Sequence, residues 1–268
     1  MAGSAASMAY PDSIGERPPE GGAETPVVRL LGLPFASLTQ DEAVARIRAM
    51  LADPARSHQV VLANAHTLNL ACEDPAYLRA LQSADLILRD GVGVEIGARI
   101  LKQRLAHNFV GTDFVPQLLR ALAAPSLRVF LYGAVPDVAA AAAKALQASA
   151  PGIEIAGAEN GYEPSADVIH KVQAARADVL LVALGNPLQE QWIAANLARL
   201  NVRVAIGVGA LFDFLAERVP RAPLWMRRAR LEWVYRLYRE PRRLWRRYVV
   251  GNVRFLWRVA RAARMERA

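Results

Sequence analysis

The sequence holds a single cysteine, Cys72. One thiol cannot close an internal disulfide, and no Cys-x-x-Cys or Cys/His cluster marks a zinc site. A reducing compartment fits this usage. No stretch of about 18 uncharged apolar residues occurs, so a membrane-spanning helix is not expected. Residues 1–26 are rich in Ala, Gly, Ser, Pro and Glu and lack the apolar segment of a signal peptide. They read as a disordered leader. Three chemical signatures are missing as well: a Gly-x-x-x-x-Gly-Lys-Ser/Thr loop, a Gly-x-Ser-x-Gly elbow and an Asp-x-Asp pair. The last is the usual carboxylate clamp for a metal on a nucleotide diphosphate. A diphosphate bound here would have to be neutralised by cationic side chains and helix ends instead.

What is present is a globular composition, 53% hydrophobic and 22% charged over 268 residues, enough for one sizeable α/β domain with appendages. The net charge of +8 is unevenly placed. Residues 218–268 carry 16 Arg against 3 Glu, a net +13, which leaves −5 for the rest of the chain. Trp225, Trp233, Trp245 and Trp257 fall in that same basic segment. One end of the protein is therefore built to meet something anionic. This divides the chain into a leader (1–26), an α/β domain (27–217) and an Arg/Trp-rich helical appendage (218–268).

Within the domain, apolar runs of strand length alternate with helical patterns. Strands are expected at 27–31, 58–63, 85–88, 127–132, 153–156, 179–183 and 202–206. Helices are expected at 39–51, 67–72, 75–83, 94–101, 113–123, 135–148, 165–175 and 188–200. Thr39-Gln-Asp-Glu42 is a capping box that opens the first helix. Continuous Val/Leu/Ile runs suit strands buried on both faces, and the repeated β-then-α order predicts a Rossmann-like, mostly parallel sheet with flanking helices. The basic appendage reads as two or three helices, broken near Pro241 and Gly251.

Ligands of such sheets bind beyond the carboxyl ends of the strands. Four loops there carry small or polar residues at helix starts: Asn64-Ala65-His66-Thr67, Asp90-Gly91-Val92-Gly93, Gly185-Asn186-Pro187-Leu188-Gln189-Glu190, and the segment from Gly207 through Gly209 to Asp213. Helix N-termini offer free N–H groups suited to phosphates. The Gly91, Gly93 and Gly97 spacing is a weak dinucleotide fingerprint, far from the first strand where that fingerprint belongs. Asp90 ends a buried strand and is the candidate general base; a helix N-cap is the competing reading of the same residue. Glu190 and Gln189 also suit first-turn electrostatics. His66 is more simply a structural histidine.

Taken in order, these loops resemble the WecG/TagA/CpsF glycosyltransferase family over about 58–248. The matching pieces are Asn64; Asp90-Gly91-Val92-Gly93; Gly111-Thr112-Asp113; Gly157 with Gly161-Tyr162; Gly185-Asn186-Pro187 with Gln189-Glu190-Gln191-Trp192; and Gly207-Val208-Gly209 with Phe212-Asp213-Phe214. Arg221-Ala222-Pro223 comes next, then Leu231-Glu232-Trp233, Tyr235-Arg236-Leu237, Glu240-Pro241 and Arg243. The resemblance implies an inverting transferase that needs no metal and no cofactor, takes a UDP-sugar donor, and acts on a sugar carried by undecaprenyl diphosphate. It implies a peripheral enzyme on the inner face of a bacterial plasma membrane, and it leaves self-association open.

The same resemblance makes Asp90 the base. It places Asn64, Gly91, Gly93, Thr112, Asp113, Gly185, Gln189, Glu190 and Gly209 about the substrates, with Arg221, Arg228 and Arg236 as sources of positive charge. Departures stand at Leu62, where many members have Thr, at Leu188, where many have Lys, and at Glu217, where Gly is common. Asn64-Ala65-His66 and Gly111-Thr112-Asp113 look closest to the branch that builds exopolysaccharides such as xanthan, where glucose is transferred.

On a helical wheel from Leu244 onward, Leu244, Trp245, Tyr248, Val249, Phe255, Leu256 and Val259 share one face. Arg243, Arg246, Arg247, Arg254, Arg258 and Arg261 fall opposite, with Trp257 among them. That partition predicts a helix lying in an anionic lipid interface. Two other readings compete. The stripe could pack on the core with the arginines solvated, or the basic face could bind nucleic acid on a non-catalytic Rossmann-like module. The acidic remainder of the chain argues against nucleic acid.

Overall fold

A computed structural model describes residues 25–123 and 127–265. The expected leader lies, up to residue 24, outside the described residues. The central sheet contains β3 (His58–Ala63), β4 (Leu86–Arg89), β5 (Leu127–Gly133), β6 (Ile153–Glu159), β7 (Val179–Ala183) and β8 (Val204–Gly207). Its order is β4-β3-β8-β7-β5-β6, and every pairing is parallel. The fold is thus the expected α/β class, with a mostly parallel, Rossmann-like sheet between helices.

Strand side chains divide between the two faces with period two. Val60, Leu62, Leu86, Leu88, Val129, Leu131, Val179, Leu181, Val204 and Ile206 face one core. That core is closed by α1 (Gln40–Ala52), α5 (Gly111–Leu122), α6 (Pro136–Ser149) and the short α9 (Leu211–Leu215). On the other face, Phe130, Tyr132, Leu180, Val182 and Ala205 pack under α7 (Ser165–Ala174) and α8 (Leu188–Leu200). Val61, Ala63 and Ile87 pack under α2 (Ala65–Glu73), α3 (Pro75–Gln82) and α4 (Val92–Ile100). The predicted capping box forms, with Thr39 and Glu42 each accepting the other's backbone N–H.

Two features depart from expectation. The run 27–31 is not a strand of the main sheet. β1 (Val27–Leu30) pairs antiparallel with a strand the pattern did not predict, β2 (Leu33–Ala36), as a separate hairpin. Leu31 (φ 48°) and Gly32 (φ 82°) form its two-residue turn. Both lie in the left-handed region that such tight hairpins require. Leu at the first turn position disguises the signal, because Asn or Asp is the usual residue there. The hairpin then buries Leu30, Leu33 and Phe35 against the sheet.

The second departure lies in the basic tail. It comprises α10 (Leu224–Arg228), α11 (Glu232–Arg239), α12 (Pro241–Trp245), a π-helical turn (Arg246–Val250) and α13 (Gly251–Met265). The chain breaks at Pro241 as expected. At Gly251 it does not break, since φ −62° and ψ −43° continue the helix. The wide π-turn adds a residue to one turn between α12 and α13. Phe255 and Val259 bury in the core shared by the hairpin, α2 and α4, and Ala263 is buried as well. Gly97 makes room, because a Cβ there would stand 2.8 Å from the Phe255 ring. Arg258 turns inward too, donating to the Asn69 carbonyl at 2.8 Å, the Asn69 Oδ1 at 2.9 Å and Glu73 at 2.8 Å. The predicted lipid-facing stripe is therefore partly consumed by the protein core: Leu244, Phe255 and Val259 are buried.

Candidate active site

The carboxyl ends of β3 and β4 bring Asn64 and Asp90 together. Asn64 caps α2, its Oδ1 accepting from the His66 and Thr67 amides at 3.0 and 3.2 Å. The Asp90 amide is tied to the Ala63 carbonyl at 2.8 Å, which locks the two strand ends in register. The N-cap reading of Asp90 does not hold: Gly91 is the N-cap of α4, and no side chain caps that helix. Burial pushes the Asp90 carboxyl up to about 6, against the pull of the Asn64 side chain and of the Arg247 and Arg236 charges, while Glu232 raises it further. A desolvated carboxylate poised near neutrality is what proton abstraction needs.

The tail supplies the charge around it. Arg236 of α11 and Arg247 of the π-turn both act on Asp90, and Arg247 also depresses the neighbouring His66 to about 4, second to the burial of that ring. Burial and that charge favour the neutral imidazole of His66 near pH 7. Arg236 lies with its guanidinium carbon 5.3 Å from the Phe214 ring centre. The Nε groups of Arg227, Arg236 and Arg247, and the Thr112 Oγ1, are buried without a hydrogen-bond partner. Buried donors left unpaired are costly, and an acceptor-rich ligand would satisfy them. Arg227 and Arg247 are not among the candidates that the sequence singles out. The sequence wheel sets Arg247 opposite the apolar stripe, yet its charge acts on Asp90.

Arg221 lies between the start of α5 and α11. It pairs with Asp113 at 3.0 and 3.2 Å, with Glu232 at 3.1 Å, and stacks 5.5 Å from the Phe214 ring centre. Its donors are occupied, and so is the Asp113 carboxylate, which also meets Arg227 at 3.5 Å. These contacts latch the tail onto the start of α5. Arg228 is exposed on α10.

The glycines fall into two groups. Gly91 (φ 94°), Gly185 (φ 77°) and Gly209 (φ 55°) take left-handed backbone, and a Cβ at any of them would meet nothing within 4 Å. All three border open space at the carboxyl edge of the sheet. The Gly91 amide is already committed to Asn108 Oδ1 at 2.7 Å. Gly93 instead packs on Ala65, and a Cβ added to it would stand 3.0 Å from the Ala65 methyl. The Gly91, Gly93 and Gly97 spacing thus has backbone and packing causes at each position, and it follows β4, not the first strand where a dinucleotide fingerprint belongs.

Gln189 and Glu190 are buried, at 3% and 1% exposure, although they open α8. Gln189 runs under Gly207, where a Cβ would stand 2.8 Å from its Nε2, and its Oε1 accepts the Gly209 amide at 2.9 Å. The Glu190 carboxylate accepts from Tyr77, Asn186 and Gln189 at 2.9, 2.8 and 2.6 Å. As they stand, both side chains contact protein and present almost no surface to a ligand. First-turn electrostatics alone also fails to describe a carboxylate buried this deeply.

Among known proteins, the model of the glycosyl transferase WecG/TagA/CpsF family matches residues 28–268. An N-acetylglucosaminyldiphosphoundecaprenol N-acetyl-beta-D-mannosaminyltransferase of Bacillus spizizenii is 36% identical over 205 residues, covering 76% of this chain and 79% of the relative. The protein of the same name from Staphylococcus aureus strain MRSA252 is 31% identical over 249 residues, covering 90% of this chain and 95% of the relative. Asp90, Arg236 and Arg247 all lie within that matched span, and the chain belongs to the WecG/TagA/CpsF glycosyltransferase family.

Proposed function

We propose that this protein transfers a hexose, with inversion, from a UDP-sugar to a sugar carried on a polyprenyl diphosphate at a membrane surface. The observation that carries the reading is the pairing of Asp90, raised to about 6 by burial, with the unpaired Arg236 and Arg247 donors beside it. In the proposed step Asp90 takes the proton from the acceptor hydroxyl. That oxygen forms the new bond to the anomeric carbon from the face opposite the diphosphate. The carbon–oxygen bond to the diphosphate breaks, and UDP departs with the electron pair. Arg227, Arg236 and Arg247 offset the growing negative charge, the part played elsewhere by a metal ion. Asn64 orients Asp90, and the Gly185 and Gly209 loops let the donor approach the backbone.

The relatives' names support a lipid-diphosphate acceptor carrying N-acetylglucosamine and an N-acetylmannosamine donor. Asn64-Ala65-His66 and Gly111-Thr112-Asp113 support testing glucose as well, and the departures at Leu62 and Leu188 argue against copying the donor from a relative. A surface location is supported by what the tail leaves exposed: Trp225, Trp245, Val249, Val250, Val253 and Trp257, with arginines between them. Among the described residues no helix is long and apolar enough to cross a membrane. The test is UDP release from UDP-glucose, UDP-N-acetylmannosamine and its uronic acid, with a lipid-diphosphate sugar acceptor, before and after EDTA. Release with one donor, indifferent to EDTA, is expected. Loss of turnover on chelation would overturn the arginine model, and tight DNA binding without turnover would favour a binding module.

A further inference from the structure

Between the Asn64 end of the site and the Gly209 loop lies a buried polar assembly. The Tyr77 ring is fully buried, and its hydroxyl donates to Glu190 Oε2 at 2.9 Å. The other Glu190 oxygen accepts from Asn186 Nδ2 and from Gln189 Nε2. Gln189 then passes the connection to the Gly209 amide. In the opposite direction the Tyr77 phenol adjoins the Thr67 hydroxyl. Thr67 and Asn64 cap each other reciprocally, the Asn64 amide donating to Thr67 Oγ1 at 3.2 Å. The Asn64 side chain adjoins Asp90.

A phenol and a carboxylate are an expensive way to fill the space between α3 and α8, since an apolar pair of similar volume packs at least as stably. An apolar pair, however, could not hold two loop backbones at set distances from each other. We infer that Tyr77, acting through Glu190, is a positioning residue that keeps the Gly209 loop in register with the Asn64–Asp90 end of the site. The inference rests on the proposed function in taking those two ends as the two sides of one reaction centre. Glu190 belongs to this role because both of its carboxylate oxygens are engaged, by Tyr77, Asn186 and Gln189.

Tyr77→Phe keeps the ring and removes only the hydroxyl. The expected result is a kcat about 10-fold to 100-fold lower with the KM for the UDP-sugar within about twofold, because misplacement by a fraction of an ångström acts on the reacting geometry. The acidic limb of the pH profile should move as the Asn64–Asp90 contact loosens. Backbone amide exchange, followed by NMR on the full chain, should quicken at Gly209 and at His66 and Thr67. Glu190→Gln should quicken Gly209 most, since it places an NH2 group against donors. A Tyr77→Phe protein with a lowered melting temperature but wild-type kcat, pH limb and amide exchange overturns the inference. If the unmodified chain turns over none of the donors, the functional reading fails. The exchange measurement then decides the coupling alone: unchanged Gly209 and Thr67 amides in both variants sink it, and paired changes uphold it.

Discussion

Arg247 and Asp90 each bear a cost of burial that the other reduces. The carboxyl is held up and the guanidinium down by desolvation, and each charge acts in the opposite sense on its neighbour. They come from distant parts of the matched family span, and the tail brings its charge to bear on the residue that follows β4.

Asp90→Asn should lower kcat/KM by about 10²-fold to 10⁴-fold, the range for loss of a general base. It should also stabilise the protein above pH 7. The folded pKa of about 6 lies above the ordinary Asp value, so the folded state holds the proton more tightly and ionising Asp90 costs stability as pH rises through about 6. Removing that ionisation is worth roughly 1–3 kcal/mol. Thermal melts at pH 5 and pH 8 check this: the variant should gain more at pH 8 than at pH 5.

The same carboxyl sets the pH profile. Activity should rise with pH through about 6 and then level, since the base works deprotonated. Arg247→Gln removes a positive charge that favours the carboxylate, so the limb should shift to higher pH and kcat should fall. An unmoved limb would separate Arg247 from Asp90.

Asp113→Asn should loosen the tail, because it weakens the charge pairing of Arg221 and Arg227. The pair is partly exposed, so the stability change should be small, within about 1 kcal/mol. Faster proteolysis within α10 and α11 is the sensitive readout.

Gly97→Ala should unseat α13 from the domain. Its Cβ would meet the Phe255 ring at 2.8 Å and Leu30 at 3.3 Å, both fully buried. Overpacking of this kind costs about 1–3 kcal/mol, read as a lowered melting temperature.

The vesicle test must spare the core. Truncating at Pro241 would also remove Leu244, Phe255 and Val259 from the protein interior. Replacing the exposed Trp245, Val249, Val253 and Trp257 by Ser should instead weaken binding to anionic vesicles at least about 10-fold while the melting temperature holds. Unchanged vesicle binding would leave the proposed surface anchor without support.

Much of the architecture is legible in local patterns. The strands β3 and β7 and the helix α8 fall where the apolar runs place them, because buried parallel strands need uninterrupted Val, Leu and Ile. Asn64 and Asp90 are legible as strand-end polar residues. The hairpin strand β2 is not, because its turn uses Leu31 in a conformation that composition does not advertise. Gln189 and Glu190 look like helix-start residues at a mouth. Their burial becomes visible only when Gly207 and Tyr77 are in place to receive them.

By itself the sequence determines a parallel α/β sheet, a cationic and aromatic end, and a carboxylate at a strand terminus, all consequences of short-range periodicity and charge. Only the tertiary structure decides which arginines face that carboxylate. Arg221 and Arg228 share the tail's composition with Arg236 and Arg247, yet one is spent on Asp113 and the other stands exposed. The physical reason is that contacts between elements distant in sequence set each side chain: Arg221 meets Asp113 and Glu232 where the tail packs on α5, whereas the charges of Arg236 and Arg247 act on Asp90.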